Sequence, residues 1–189
     1  RSVKTQESIV NSTIELLMNS PSVQWPTAEQ VAKHSNIGLR TVFRQFDDMD
    51  SLICSCHEKI MAEFENFLIN QSAVDKTLKN RITFLINERI KIYSQYKNVF
   101  ASSILNMQKF HSVREGFIEG NLRLKKRFED IIPEVLKLSS VDQAYLDTSI
   151  SFASWYRMSI FYKFSDQVII DKFSSETNKL LNLEGKINV

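Results

Sequence analysis

Four polar side chains that can hydrogen-bond or contact the edges of nucleic-acid bases lie close together near residue 40. On a helical wheel they share one arc of a short helix: Arg40, Thr41, Arg44 and Gln45. Arginine donates bidentately to guanine, glutamine pairs with adenine, and a threonine methyl can contact the methyl of thymine. The opposite arc carries Val42 and Phe46, which would face a core. The pattern predicts a helix that reads a DNA groove, although the solvated face of a packed helical hairpin has the same appearance.

The residues before this helix predict the element that would position it. Thr27-Ala-Glu-Gln30 has the form of a capping box and is expected to open a helix that ends near His34. Asn36 tolerates the left-handed conformation that ends a helix and permits a tight turn. A second short helix is expected from about Leu39 to Gln45. Two short helices joined by such a turn form a helix-turn-helix, whose second helix enters the major groove.

The stretch from Thr27 to Phe46, TAEQVAKHSNIGLRTVFRQF, resembles the DNA-binding signature of the tetracycline-repressor (TetR) family. One helix is expected before it and a long helix from about Met49 after it, as in that family. The resemblance implies a DNA-binding transcriptional regulator, a repressor released from its double-stranded DNA operator by a small-molecule ligand. It implies a DNA-binding domain over residues 1–48 and a ligand-binding and dimerisation domain over residues 49–189. The implied DNA-binding residues are Thr27, Gly38, Leu39, Arg40, Thr41, Phe43, Arg44 and Gln45.

The signature departs from the family pattern at positions that bear on DNA. Asn36 stands where the family usually has Gly, and Gly38 where it often has Ser. Phe43 stands in place of a Tyr and Met49 in place of a Lys, so two phosphate-contacting groups are absent. A helical ligand-binding or interaction protein with weakened DNA binding is therefore the alternative function.

The rest of the chain is expected to be helical, which makes the predicted fold class all-α. Of the 189 residues, 43% are hydrophobic, and no Pro occurs between Pro26 and Pro133. Long stretches without turn residues indicate long helices joined by short loops. The helices are expected at about 4–19, 28–34, 39–45, 49–70, 76–97, 99–110, 112–138, 141–164 and 166–183.

The helix predicted over 141–164 is apolar around almost its whole circumference. A helix of this kind must be buried on all sides, and one domain this small covers only one side. A second copy of the chain could cover the other side, and the resemblance implies a four-helix dimer interface. We therefore expect a homodimer formed through residues 141–183, with a single central core helix as the alternative.

A ligand pocket is predicted around Arg89, which falls within the apolar stripe of the helix over 76–97. A buried guanidinium needs a partner. The alternatives are an ion pair with a carboxylate such as Asp147 or Glu119, a stem that reaches water, or a polar anchor for an otherwise apolar ligand. The candidate ligand-binding residues are Arg89, Tyr93, Phe100, Met107, Phe117, Asn121 and Trp155.

Other chemistries find no support in the sequence. No nucleophile motif or Gly-rich phosphate loop is recognisable, so we expect no enzymatic activity, no cofactor and no metal site. Cys54 and Cys56 lie two apart in a predicted helix and would point to nearly opposite sides, which is unsuited to a disulfide.

No apolar run is long enough to span a membrane, and residues 1–5 lack a signal-peptide pattern. The expected location is the cytoplasm, and the missing initiating Met suggests that a few residues precede Arg1.

Overall fold

A computed structural model describes residues 2–20, 23–69 and 77–184. Helices account for all regular structure among these residues, so the all-α prediction is confirmed. The α-helices are α1 (Ser2–Asn19), α2 (Ala28–Ser35), α3 (Leu39–Gln45), α4 (Met49–Ile69), α5 (Leu78–Gln95), α6 (Lys97–Asn106), α7 (His111–Ile131), α8 (Ser140–Ser149), α9 (Phe152–Tyr156) and α10 (Asp166–Glu184). A 3₁₀ turn spans Pro133–Lys137 and a π-helical turn spans Arg157–Phe161.

The chain divides into two compact units, each built from two stretches of sequence. Unit 1 comprises Arg1–Asn70 and Tyr96–Asn121, and unit 2 comprises Gln71–Gln95 and Leu122–Val189. These packing units do not follow the predicted division into residues 1–48 and 49–189. That division concerns where DNA and ligand functions lie, and it stays a prediction.

Unit 1 has a core formed where α1 packs against α2, α4 and α6. Ile9 and Leu17 of α1 and Leu52 and Ile53 of α4 are fully buried, as the apolar spacing of both helices requires. Asn98 of α6 donates from Nδ2 to the carbonyl oxygens of Met18 and Ser20, at 2.8 and 2.9 Å. These bonds satisfy carbonyls at the end of α1 and fix α6 beside it.

Unit 2 is organised by the packing of α5 against α10 and α9. Arg81 holds the end of α7 to the 3₁₀ turn: it donates to the Ile131 carbonyl oxygen at 2.7 Å and bidentately to Glu134. The Arg81 guanidinium keeps the pKa of Glu134 below its ordinary value. Glu88, almost fully buried, pairs with Arg127 at 2.9 Å. Buried charges in this unit are thus paired, as desolvation demands.

The continuous helix predicted over 141–164 is wrong. Helix α8 ends at Ser149, and Ser151 begins α9 by accepting a hydrogen bond from the Ser154 N–H. The segment after α9 is π-helical, and Lys163 has a left-handed φ of 58°. Serine side chains bond to nearby backbone groups and so compete with the helix, which explains the break. Because the segment is divided, its apolar residues are not forced inside together, and Phe161 is 70% exposed.

The helix predicted over 112–138 is also too long. Helix α7 ends at Ile131, and Pro133 opens the 3₁₀ turn that follows. Proline has no N–H to donate and disfavours the helical conformation of the residue before it, which ends the helix at this point.

Candidate nucleic-acid interface and ligand cavity

The start of α2 is fixed by the capping box that the sequence predicts. The Gln30 N–H donates to the Thr27 hydroxyl at 3.3 Å, and the Thr27 N–H donates to Oε1 of Gln30 at 2.8 Å. Backbone hydrogen bonding at Glu29 and, secondly, the Thr27 hydroxyl keep the pKa of the Glu29 carboxyl below its ordinary value. Side-chain hydrogen bonds therefore hold the first turn of α2, and Thr27 is exposed.

The turn between α2 and α3 depends on a left-handed residue. Asn36 has φ 55° and ψ 36°, and its N–H bonds back to the end of α2. Asparagine is among the few residues that adopt this conformation readily, so the predicted turn is confirmed. Gly38 then serves as the N-cap of α3 without a side-chain hydrogen bond, and open space surrounds the position of its absent Cβ.

Helix α3 buries one side and exposes the other. Val42 is 1% exposed and Phe46 is also buried, which anchors the helix on unit 1. The predicted DNA-binding residues separate by exposure: Leu39, Arg40, Phe43 and Arg44 are exposed, while Thr41 and Gln45 are half-buried. In the part of the chain that the structure describes, no carboxylate forms an ion pair with Arg40 or Arg44. Both guanidinium groups are thus available to a partner.

A groove of about 390 Å³ lies next to this face, and we call it the Trp25 groove. Thr27 and Phe43, two of the predicted DNA-binding residues, are among its lining residues, and so is Met49 at the start of α4. Lys109 and Phe110, from the connection between α6 and α7, line it as well. The sequence alone does not indicate a role for this connection, because the groove that it shares with α3 is a tertiary feature.

A hydrogen-bonded bridge holds that connection beside the start of α4. Asp50 accepts from the Ser112 N–H and the Ser112 hydroxyl, both at 3.1 Å. The carboxylate satisfies a backbone N–H in the first turn of α7, where N–H groups lack partners within the helix. This bridge was also missed from sequence, since 62 residues separate its two members.

The seven predicted ligand-binding residues fall into two groups, one in each unit. In unit 1, Phe100 and Phe117 line one cavity of about 20 Å³ together with His57 and Gly116. A Cβ at Gly116 would lie 2.2 Å from Cε1 of His57, so the absence of a side chain allows the imidazole to pack there. This volume holds about one water molecule, whereas small-molecule sites usually span about 300–1,000 Å³. A ligand would therefore have to displace side chains.

The two other unit 1 candidates do not line this cavity. Asn121 donates from Nδ2 to the Phe117 carbonyl oxygen at 2.7 Å, within its own helix. Met107 is the half-buried residue that ends α6. Their predicted contact with a ligand stays a prediction.

In unit 2, Arg89 is 3% exposed and has the partner that its burial requires. It donates to the Leu124 carbonyl oxygen at 2.8 Å and to Asp147 at 3.1 Å, and its guanidinium carbon lies 5.5 Å from the centroid of Phe128. Of the alternatives considered for Arg89, the ion pair with Asp147 is the one observed. The role of Arg89 in orienting a ligand stays a prediction.

Tyr93 and Trp155 pack together in unit 2, with ring centroids 5.9 Å apart. The Tyr93 hydroxyl donates to the Ile150 carbonyl oxygen at 3.2 Å, and burial raises the Tyr93 pKa. The Trp155 indole N–H donates to Asp166 at 2.9 Å. Both side chains are therefore part of a satisfied core.

Large apolar side chains remain exposed in the segment predicted to dimerise. They are Val141, Tyr145, Ile160, Phe161, Tyr162, Phe164 and Val168. The guanidinium carbon of Arg157 lies 5.5 Å from the ring centroid of Phe161 and 6.0 Å from that of Tyr162. Tyr162 also contacts the rings of Phe161 and Phe164, and exposed aromatic side chains in mutual contact are typical of an interaction surface.

Cysteine placement agrees with the sequence prediction. Cys54 is exposed and Cys56 is buried, and both are free thiols. Burial raises the pKa of Cys56 to about 12, which keeps its thiol protonated near neutral pH.

Within the described ranges, no three His, Cys, Asp or Glu residues cluster as a metal site would require. None of the described helices is long and apolar enough to cross a membrane.

Comparison with known proteins finds one kind of similarity, which is in the fold. No protein-family model matches the sequence, and no curated protein matches it at a significant level. Among solved structures, the chain is similar to a Mesorhizobium loti protein assigned to the TetR family of transcriptional regulators. The TM-score is 0.62 at 10% sequence identity, and the match covers 97% of this chain and 98% of the other. The chain therefore has the fold of a TetR-family regulator, as the resemblance over residues 27–46 predicts.

Proposed function

We propose that this protein is a DNA-binding transcriptional regulator, a repressor that a small-molecule ligand releases from its operator. The observation that carries the proposal is the exposed face of α3. Arg40 and Arg44 extend from a helix anchored by buried Val42 and Phe46, and no described carboxylate neutralises them. An exposed, anchored helix with free bidentate donors is what direct readout in the major groove requires.

The remaining predicted contacts complete a footprint on one duplex. Arg40, Arg44, Thr41 and Gln45 would face base edges, the last two at the margin because they are half-buried. Thr27, Phe43 and the N-terminal ends of α2 and α3 would face phosphates. No side chain caps the first N–H groups of α3, and uncapped N–H groups at a helix start favour anions. Gly38 and Leu39 begin α3 and would lie close to the sugar-phosphate backbone.

Homodimer formation through residues 141–183 is part of the proposal. The exposed aromatic side chains of this segment support it, because a second copy would remove them from water. Two-fold symmetry would then present two α3 helices to a near-palindromic operator.

Release by a ligand follows from a shift between two populations of the dimer. A ligand that binds better to the dimer with mismatched α3 spacing would lower operator occupancy. An apolar ligand beside Phe100 and Phe117 would have to displace side chains such as His57, because the cavity there is about 20 Å³. Arg89 would be the polar anchor only if its pairing with Asp147 yields to the ligand.

An electrophoretic mobility shift with DNA flanking the protein's own gene tests the proposal. We expect a discrete complex that excess unlabelled fragment removes and that an equal mass of unrelated DNA does not. Binding that unrelated DNA removes equally well would contradict sequence-specific regulation.

A helical ligand-binding or interaction protein with weakened DNA binding is the second candidate. It is favoured by Phe43, which is 48% exposed without a hydroxyl, and by Met49, which brings no charge to the start of α4. The same mobility-shift experiment separates the two, because this candidate predicts no complex at physiological salt.

A further inference from the structure

The connection between α6 and α7 places a cation at the edge of the candidate DNA-binding face. Lys109 lines the Trp25 groove with Thr27, Phe43 and Met49. Among the described residues that line the groove, Lys109 is the one with a positive charge, and Glu29 carries a negative charge. An anionic partner seated over this groove would therefore meet Lys109 as its cationic contact.

The backbone around Lys109 is fixed rather than loosely attached. The Lys109 N–H donates to the Asn106 carbonyl oxygen at 2.9 Å, and the Phe110 N–H donates to the same oxygen at 3.1 Å. Two residues further on, Ser112 is bound through its N–H and hydroxyl to Asp50 of α4. These bonds hold the connection in a set position relative to α4, so a contact made there needs little further ordering.

The ammonium group of Lys109 is exposed and without an acidic partner in the described chain. Its Nζ lies 5.0 Å from the ring centroid of Phe110, and no described carboxylate pairs with it. A cation–π contact orients the side chain without neutralising its charge. By contrast, lysines such as Lys125 and Lys126 are paired with carboxylates four residues away.

We infer that Lys109 contacts a phosphate of the same duplex that α3 reads, from an element outside the helix-turn-helix. The inference rests on the proposed DNA-binding function. When a recognition helix occupies the major groove, the preceding helix crosses the sugar-phosphate backbone. Here the segment that opens α2, from Gln24 to Glu29, forms part of the groove that Lys109 lines. A backbone phosphate beside Thr27 is thus the anionic group that Lys109 would meet.

The test measures operator affinity by fluorescence anisotropy over a series of KCl concentrations. Lys109→Gln is compared with wild type and with Lys91→Gln, which removes an exposed lysine of α5 outside the groove. Each phosphate contact contributes about 0.9 to the slope of log affinity against log salt. We expect Lys109→Gln to reduce that slope by about 1 per subunit, weaken cognate and scrambled duplexes by the same factor, and leave thermal unfolding unchanged. Lys109→Arg should keep the wild-type slope.

Three outcomes would overturn the inference, and they differ in their consequence for the proposed function. If Lys109→Gln has the slope of Lys91→Gln while wild type binds its operator, Lys109 is no phosphate contact and the proposed function stands. If Lys109→Gln changes which base pairs are preferred, the side chain reads a base instead. If wild type binds no duplex at low salt, the inference and the proposed function both fail.

Discussion

At the scale of single residues, Arg40 is the side chain best placed to read a base. It is exposed on α3 and belongs to the arc that faces away from the buried Val42. We expect Arg40→Ala to cost about 1–3 kcal/mol of binding free energy on the cognate operator and to relax preference at one base pair. Binding of all single-base operator variants measures this. A uniform loss on every sequence would show that Arg40 contacts phosphate.

Arg89 is the residue for which structural and ligand roles most need separation. Its guanidinium bonds to the Leu124 carbonyl oxygen and to Asp147. We expect Arg89→Met to lower the free energy of unfolding by about 1–3 kcal/mol, because these acceptors lose a charged donor. Chemical denaturation measures the change.

Asp147→Asn is the matched control for Arg89, since it weakens the same ion pair while leaving the guanidinium in place. Once an inducer is known, a ligand role predicts that Arg89→Met keeps repression and loses induction, whereas Asp147→Asn keeps both. Equal loss of induction in the two variants, or an unfolded Arg89→Met protein, would leave Arg89 with a structural role alone.

At the scale of elements, the helix-turn-helix depends on one backbone conformation. Asn36 has a φ of 55° between α2 and α3, a conformation that costs an alanine about 1–2 kcal/mol of conformational free energy. We expect Asn36→Ala to lower the free energy of unfolding by about this amount and Asn36→Gly to leave it nearly unchanged. Urea unfolding of wild type and the two variants measures these free energies. Equal stabilities of Ala and Gly variants would show that the turn adjusts without strain.

The same element shows why part of the fold could be predicted. Thr27, Gln30 and Asn36 act through hydrogen bonds and dihedral angles within a few residues, and such local chemistry is readable from sequence. The place of Arg89 in an apolar stripe also predicts that its guanidinium needs a partner, and Asp147 is one of the candidates for that role.

Other features arise only when distant segments meet. The break between α8 and α9 reflects serine side chains whose bonding competes with a strong apolar periodicity, and periodicity alone favoured one helix. The approach of Lys109 to Phe43 and the bridge from Asp50 to Ser112 join segments about 60 residues apart. Their positions follow from packing, which spacing along the chain does not encode.

At the scale of the whole molecule, the exposed aromatic side chains between 157 and 164 predict self-association. We expect a dimer in sedimentation at micromolar concentration. Phe161→Ser should weaken the dimer, because it removes apolar surface from the proposed interface. Since Phe161 is already exposed in the single chain, its replacement leaves the fold intact. Leu105→Ser, at an equally exposed position outside 141–183, is the control. A stable monomer for wild type would contradict dimerisation through this segment.

Specific DNA recognition by a symmetric pair of α3 helices is the central claim, and selection from a random-sequence duplex library tests it most directly. The bound fraction is sequenced after several rounds in the presence of competitor DNA. The claim predicts one enriched, near-palindromic site whose half-sites lie about 34–36 Å apart, one helical turn or a multiple of it. Failure to enrich any sequence, with binding that follows salt concentration alone, would contradict it.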